Sequence, residues 1–178
     1  LFRSLNVPLS TLTQYCDTLT ICLSKGLGAP IGSLLCGSAE YIKQARRWRK
    51  MVGGGMRQAG ILAEAARYAL LNNVERLRED HDNAQWLANE LSAIGVEVLA
   101  PGAQTNMLFL KVPAHEAAQL GGWMKERGVL MSAGPVTRIV THLDVSRSDL
   151  EKLVSLWKEF KQSINTQSST TASKAIYG

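Results

Sequence analysis

An α/β fold is predicted, because short apolar strands and helical repeats alternate along most of the 178 residues. Two strands lie near the start, a long helical stretch lies in the middle, and a mixed run of strands and helices follows. We expect the helical stretch to link two domains, at residues 1–75 and 76–163. The residues 164–178 are rich in Ser and Thr, which predicts a disordered polar tail.

The first strand covers residues 18–24 (TLTICLS), which are β-branched or apolar. It leads into residues 25–30 (KGLGAP), a glycine-rich turn that ends in proline. A second strand over residues 32–36 follows closely enough to pair with the first. Lys25 is therefore predicted to be held by backbone on both sides.

The middle of the chain is predicted to be helical. Residues 39–51 form one helix, and the glycine triplet 53–55 ends it, as suits a sharp turn or a close approach to a ligand. Apolar residues then recur at helical spacing from 57 to about 91, which predicts one long helix. Asn72-Asn73 is its weakest point and is expected to mark a bend.

The last part alternates strands with helices. Gly128 follows a predicted helix and is expected to adopt left-handed geometry there. Ser146 starts the final helix, with Asp149 as its capping partner. The predicted strands are residues 96–99, 107–112, 129–131 and 137–142, and the predicted helices are 114–127 and the segment from 146. The buried stripe of the final helix is predicted to be Leu150, Leu153, Val154, Trp157 and Phe160.

Charge and composition narrow the function classes. The net charge is +5, and one dense basic run lies at residues 43–50 (KQARRWRK). We interpret that run as a solvated helix face with a subunit contact and not as a nucleic-acid interface, since aromatic residues make up only 6% of the chain. No apolar run is long enough for a membrane span and no signal peptide is recognised, so a cytoplasmic location is expected. Three cysteines without a CxxC pair do not predict a metal site, and Cys22 and Cys36 are expected to be core residues.

Lys25 is the strongest candidate for a reactive residue, because it has a nucleophilic amine and a predicted position in a turn directly after a strand. A lysine forms a covalent link to a carbonyl only as the neutral amine, so its pKa must fall through desolvation or nearby positive charge. An apolar strand that ends in a glycine turn is expected to supply that desolvation. Ser24 and nearby backbone amides could contact a phosphate. A surface lysine after a strand is the competing interpretation of the spacing alone.

The run Ser24 to Pro30 (SKGLGAP) resembles the cofactor-lysine segment of low-specificity L-threonine aldolases, within the fold-type I pyridoxal-phosphate enzymes. Further blocks resemble the same family in the expected order, and the resemblance covers roughly residues 1–160. These blocks are residues 47–58 (RWRKMVGGGMRQ), 79–84 (EDHDNA), 105–107 (TNM) and 138–145 (RIVTHLDV). The resemblance implies the end of the fold-type I large domain, followed by a small α+β domain.

The resemblance also implies roles for matching residues. Lys25 would bind pyridoxal 5'-phosphate covalently and exchange protons at the substrate Cα, and Ser24 would lie beside the cofactor. Arg138 would clamp the substrate carboxylate, because a guanidinium fork matches a carboxylate in a bidentate manner. Arg57 would reach the cofactor phosphate, across a subunit boundary, and Lys50 would lie near the same site. A solvated cation is the competing interpretation for both.

The activity that the resemblance implies is retro-aldol cleavage of L-threonine or L-allo-threonine to glycine and acetaldehyde. Two alternatives stay open: another fold-type I enzyme, such as a racemase or a β-eliminating lyase, and a non-catalytic basic binding module. The family also uses an aspartate, a histidine and a phosphate cup that would precede Leu1. The chain alone is therefore expected to have little activity, to need an N-terminal half of the same enzyme, and to assemble as a homodimer or homotetramer.

Overall fold

The computed structural model describes residues 4–176, with side chains described through residue 166. The chain divides into two units, one up to Glu79 and one from Asp80. Along the described residues the elements are α1 (Leu9–Thr13), β1 (Thr18–Cys22), β2 (Ser33–Gly37), α2 (Ala39–Met51), α3 (Gly60–Asn72), α4 (Leu77–Ala93), β3 (Glu97–Val98), β4 (Met107–Lys111), α5 (Ala114–Glu126), β5 (Val136–Val140) and α6 (Arg147–Ile176). This mixed helix-and-sheet order confirms the predicted α/β class.

In the first unit, β1 and β2 pair as an antiparallel hairpin, with Leu19 opposite Cys36. Successive side chains of a strand point to opposite faces, so Ile21 in β1 and Leu23 directly after it lie on the same face. That face packs on α3 and forms a small apolar cluster. The buried members are Leu23, Leu27, Ala29, Ala66 and Ala69. The cluster thus fixes the chain directly before and after residue 25.

The long helix predicted from residue 57 to about 91 is wrong, because the structure has two helices, α3 and α4, separated by residues 73–76. The break falls at Asn72-Asn73, where a bend was predicted. Asn side chains compete for backbone hydrogen bonds and so weaken a helix. Here Asn73 caps α3, and its side-chain amide bonds the carbonyl of Leu27 instead of a group in its own helix.

In the second unit, β3, β4 and β5 form an antiparallel sheet in that order. The inner face buries Leu108, Leu110 and Thr137 against the helices, while Phe109 and its cross-strand partner Arg138 are exposed on the other face. The apolar core also takes in residues of α4, α5 and α6. Its fully buried large side chains include Leu87, Leu91, Leu120, Met124, Trp157 and Phe160.

The ends of α5 and α6 follow the predicted local signals. Gly128 has a φ of 78°, as expected after a helix end. Ser146 and Asp149 exchange hydrogen bonds: the Ser146 N–H donates to the Asp149 carboxylate at 2.9 Å, and the Asp149 N–H donates to the Ser146 hydroxyl at 3.2 Å. All five residues of the predicted stripe on α6 are buried or pack partly buried against the core.

Two predictions for the second unit differ from the structure. Residues 129–131 are irregular and not a strand, because these apolar residues have no neighbouring strand to pair with. The helix α6 continues through Ile176, where the polar composition predicted a disordered tail from residue 164. Ile164 packs partly buried against the core, which supports the helix beyond the predicted end. Residues 177 and 178 of that tail lie outside the described residues.

The division of the chain falls between Glu79 and Asp80, a few residues after the predicted boundary at 75 and 76. The assignment of the two units to a large and a small catalytic domain stays a prediction. Among the described residues, no helix is both long enough and apolar enough to cross a membrane.

Candidate active site

Lys25 lies in a tight turn directly after β1. The turn is closed by the Gly28 N–H, which donates to the Lys25 carbonyl at 2.8 Å, and Gly28 has a φ of 73°. The Ala29 N–H donates to the Leu23 carbonyl at 3.0 Å. The chain therefore doubles back under Lys25, and a residue other than glycine at position 28 would be strained.

The underside of the turn is packed and not open. Leu27 is buried in the apolar cluster, and its carbonyl accepts a hydrogen bond from the Asn73 side chain at 2.7 Å. A Cβ at Gly26 would come within 2.8 Å of the end of the Leu77 side chain, so a larger residue here would require Leu77 to move. Sequence reasoning missed Asn73. No periodic signal could have revealed it, because its partner lies 46 residues away.

Lys25 itself is exposed in this chain, as is Ser24. The expectation that the strand and the glycine turn desolvate the amine is therefore wrong for the described residues. The reason is directional: the apolar side chains Leu23 and Leu27 point into the cluster, whereas Lys25 and Ser24 lie on the opposite, open side. The turn fixes the backbone from which the amine extends but does not shield the amine from solvent.

Cys22 shares the face of β1 that carries Ser24, and the two side chains lie 3.7 Å apart between Sγ and Oγ. The Ser24 hydroxyl, the Ser24 main chain and the charge of Lys25 lower the pKa of the Cys22 thiol from its ordinary value. The prediction of core positions for Cys22 and Cys36 is wrong here, since Cys22 is half-buried and Cys36 is exposed. Strand alternation was the signal that could have placed Cys22 beside Ser24.

The glycine triplet forms the end of α2. The Gly53 N–H donates to the Lys50 carbonyl at 3.2 Å, and the Gly54 N–H donates to the Arg49 carbonyl at 2.7 Å. This pair of bonds, with Gly53 at a φ of 88°, is a Schellman cap. The predicted sharp turn is thus confirmed. The Lys50 side chain lies over Gly55, where an added Cβ would meet its Nζ at 2.6 Å.

Arg57 lies on the same connection, three residues before α3 begins, and is exposed. The start of α3 has no side-chain cap and no acidic residue in its first turn. A helix start of this kind carries partial positive charge and free N–H groups, which favour an anion. Arg57 and Lys50 therefore flank one connection whose electrostatics suit a phosphate.

Arg138 is exposed at the centre of β5, with Phe109 opposite on β4. It borders a cleft of about 690 Å³ in the second unit. His142, two residues after the end of β5, lines the same cleft. Other lining residues include Met131, Ser132, Val136, Asp149 and Lys152. A guanidinium on such an open face is free to meet a carboxylate.

The predicted site residues thus form three groups. Lys25 and Ser24 share one turn, Lys50 and Arg57 share the connection between α2 and α3, and Arg138 lies in the second unit. The described residues contain no group of three or more His, Cys, Asp or Glu side chains that could hold a metal ion.

The fold class follows from solved structures. The chain superposes on a serine palmitoyltransferase from Sphingomonas wittichii with a TM-score of 0.71 and 16% identity, over 88% of this chain and 42% of that one. At that identity the likeness shows the fold alone, which is that of the fold-type I enzymes, as predicted. The chain belongs to the beta-eliminating lyase family, whose model matches residues 2–114.

Curated relatives show which enzymes of this family the chain is similar to in sequence. The low-specificity L-threonine aldolase of Escherichia coli is 59% identical over 152 residues, covering 85% of this chain and 45% of the relative. Low-specificity L-threonine aldolase 1 of Arabidopsis thaliana is 38% identical over 162 residues, covering 88% and 45%. The resemblance stated from the sequence motifs is confirmed. The chain spans less than half the length of these relatives.

Proposed function

We propose that this chain supplies the C-terminal portion of a pyridoxal-phosphate-dependent threonine aldolase. The assembled enzyme cleaves a β-hydroxy-α-amino acid, threonine or allo-threonine, into glycine and an aldehyde. The observation that carries the proposal is the 59% identity with an L-threonine aldolase along most of the chain. Within that stretch, hydrogen bonds fix the backbone of the Lys25 turn, so the amine that would bind the cofactor starts from a defined position.

The residues present fit pyridoxal 5'-phosphate by their chemistry. Lys25 offers a primary amine, and Ser24 places a hydroxyl next to it. Lys50 and Arg57 would hold the phosphate at the uncapped start of α3, from a neighbouring subunit. When bound, the cofactor supplies an electron sink for bond cleavage at the substrate Cα.

Two side chains of this chain would then act in the reaction. Arg138 grips the substrate carboxylate, which orients the Cα–Cβ bond for cleavage. A base takes the β-hydroxyl proton, the Cα–Cβ bond breaks, and the aldehyde leaves. Lys25 would donate the proton that Cα needs to complete glycine, which leaves its amine neutral. Because Lys25 is exposed in this chain, its shielding must come from the rest of the assembled enzyme.

Exposed apolar surface supports the need for an N-terminal half and for further subunits. A two-stranded sheet is marginal by itself, yet all five residues of β2 are exposed. No residue of α2 is buried, and Trp48 and Met51 are each 62% exposed. We propose that the other half of the enzyme and a second subunit cover these surfaces, in a homodimer or homotetramer. The three free thiols suit a reducing compartment, and we propose the cytoplasm.

Product analysis tests this function. The assembled enzyme, given threonine and pyridoxal 5'-phosphate, should release glycine and acetaldehyde in equal amounts, and Lys25→Ala should abolish the release. A racemase would interconvert threonine stereoisomers without cleavage, and a β-eliminating lyase would release ammonia and a keto acid. Either product pattern would contradict the proposal. So would a single 19.4 kDa species that cleaves threonine at a normal rate, as judged by intact mass and gel electrophoresis.

The non-catalytic basic module makes a different prediction. It predicts salt-sensitive binding of nucleic acid through the basic run of α2 and no cofactor absorbance. Exposed Trp48 lies between the cations of that helix and exposed Tyr41 precedes them, a composition that suits a subunit contact equally well. Titration with duplex DNA at two salt concentrations separates these outcomes.

A further inference from the structure

The link between α3 and α4 is attached to the lysine turn by two long-range hydrogen bonds. The side-chain amide of Asn73 donates to the main-chain carbonyl of Leu27 at 2.7 Å. The guanidinium of Arg76 donates to the main-chain carbonyl of Gly26 at 3.4 Å. The partners lie 46 and 50 residues apart in sequence, so both bonds are tertiary contacts. Both donors are half-buried in the first unit.

These two bonds complete a pattern along the turn. The carbonyl of Lys25 accepts from the Gly28 N–H, that of Gly26 from Arg76, and that of Leu27 from Asn73. Three successive carbonyls, starting at the lysine itself, are therefore held by donors. With the Leu27 side chain buried, the backbone below the amine has little freedom to rotate.

We propose that Asn73 and Arg76 are positioning residues for Lys25, an inference that rests on the proposed function. They act through the main chain and need not touch the cofactor or the substrate. Reacting atoms must be aligned closely, and a displacement of about 1 Å can cost about 100-fold in rate. The interruption between α3 and α4 then has a purpose: it frees the amide of Asn73 from its own helix and aims it at the turn.

Asn72 offers a matched control. Its side-chain amide donates to the carbonyl of Tyr68 at 2.8 Å, a bond of nearly the same length but inside its own helix. The variants Asn72→Ala and Asn73→Ala therefore remove the same chemical group and a similar bond. Only the second loosens the turn that carries Lys25.

The experiment uses the assembled enzyme and measures two properties of each variant. The first is kcat and KM for threonine. The second is hydrogen exchange of the Gly28 and Ala29 amides in the cofactor-free enzyme. Asn73→Ala should lower kcat about 10- to 100-fold with little change in KM. It should also speed exchange at Gly28 about tenfold, through local opening of the turn, whereas Asn72→Ala should leave this exchange unchanged. Arg76→Gln should act in the same direction but more weakly, because its bond is longer.

Wild-type kcat together with wild-type exchange in Asn73→Ala would overturn the inference. If Asn73→Ala fails to fold, Arg76→Gln decides in its place, and unchanged kcat and exchange there would overturn it. Equal effects of Asn72→Ala and Asn73→Ala would do so as well, since they would indicate a general loss of helix stability. Absence of cofactor at Lys25 in the wild-type enzyme would instead contradict the proposed function. The difference in hydrogen exchange between the variants could still be measured in that case, because it is recorded on cofactor-free protein.

Discussion

The hydroxyl of Thr141 donates a hydrogen bond to the main-chain carbonyl of Asp80 at 2.6 Å, and both residues are buried. Thr141 directly follows β5, and Asp80 lies in the first turn of α4. The Thr141 carbonyl also accepts from the Asn106 side chain at 2.9 Å. Arg138, three residues earlier, thus lies on a strand whose end is tied to both a helix and a neighbouring loop.

Thr141→Val tests this attachment. The substitution keeps the shape but leaves the Asp80 carbonyl without this donor in a buried place. Loss of one partner of a buried hydrogen bond costs about 1–3 kcal/mol, so the free energy of unfolding of the assembled enzyme should fall by that amount. Urea unfolding measures it. Thr166→Val, at an exposed hydroxyl that bonds within its own helix, is the control and should change stability little.

The capping pair of α6 predicts a pH dependence. The Ser146 hydroxyl and N–H bond the Asp149 carboxylate and lower its pKa from the ordinary value of 3.8. A pKa that is lower in the folded state gives stability that is present above pH 3.8 and lost as pH falls through the folded pKa. Asp149→Asn should therefore lower the urea midpoint at neutral pH.

The same variant should approach wild-type stability in acid, where the wild-type carboxyl is protonated too. Glu159→Gln, at an exposed position later on α6, should show no comparable difference at either pH. A deficit of Asp149→Asn that stays constant from neutral pH to acid would show that the carboxylate charge is not what stabilises this helix end.

Substitution by alanine is expected to change the stability of the protein in opposite directions at two glycines. Gly53 has a φ of 88° at the cap of α2, and Gly53→Ala should destabilise by about 1–2 kcal/mol. Gly60 starts α3, and a Cβ there meets nothing within 4 Å. Gly60→Ala should stabilise by about 0.4–1 kcal/mol, since alanine lowers the entropy of the unfolded chain. Thermal unfolding of both variants checks the signs.

Substitution of Arg138 is expected to weaken substrate binding. Arg138→Lys keeps the charge but loses the bidentate fork, so KM for threonine should rise about 10-fold or more, with a smaller effect on stability. Lys111→Arg is the matched control, because it also keeps the charge, and Lys111 lies on the same exposed face of β4 and β5, where it pairs with Glu97 at 3.1 Å. Equal KM changes in both variants would show that the effect is general to this face and does not come from the guanidinium fork of Arg138.

Local signals in the sequence predicted those elements whose determinants are local. The bounds of α2 match the prediction, and the Ser146–Asp149 pair and Gly128 were recognised from spacing alone. The short helix α1 was not predicted, because five residues with no buried member carry no apolar period. Residues 129–131 have strand composition, yet composition does not tell whether a strand finds a partner.

In the candidate site, too, the sequence predicted local features but not contacts between distant residues. Lys25 in its turn was predicted from its motif, and the structure places it after β1 as expected. Its exposure agrees with the competing interpretation of a surface lysine, and the sequence left the two open because a strand pattern does not show which side of a turn the core occupies. The contact of Asn73 with Leu27 depends on how α3 packs on β1, and no residue near position 25 encodes it.

The account depends most on the amine of Lys25, and reductive trapping tests it directly. The assembled enzyme is incubated with pyridoxal 5'-phosphate, reduced with borohydride and digested, and the peptides are mapped by mass spectrometry. The account predicts one pyridoxyl group per chain, attached to Lys25, and no label there in Lys25→Arg. A pyridoxyl group on another lysine in place of Lys25, or no label in the wild-type enzyme, would contradict it.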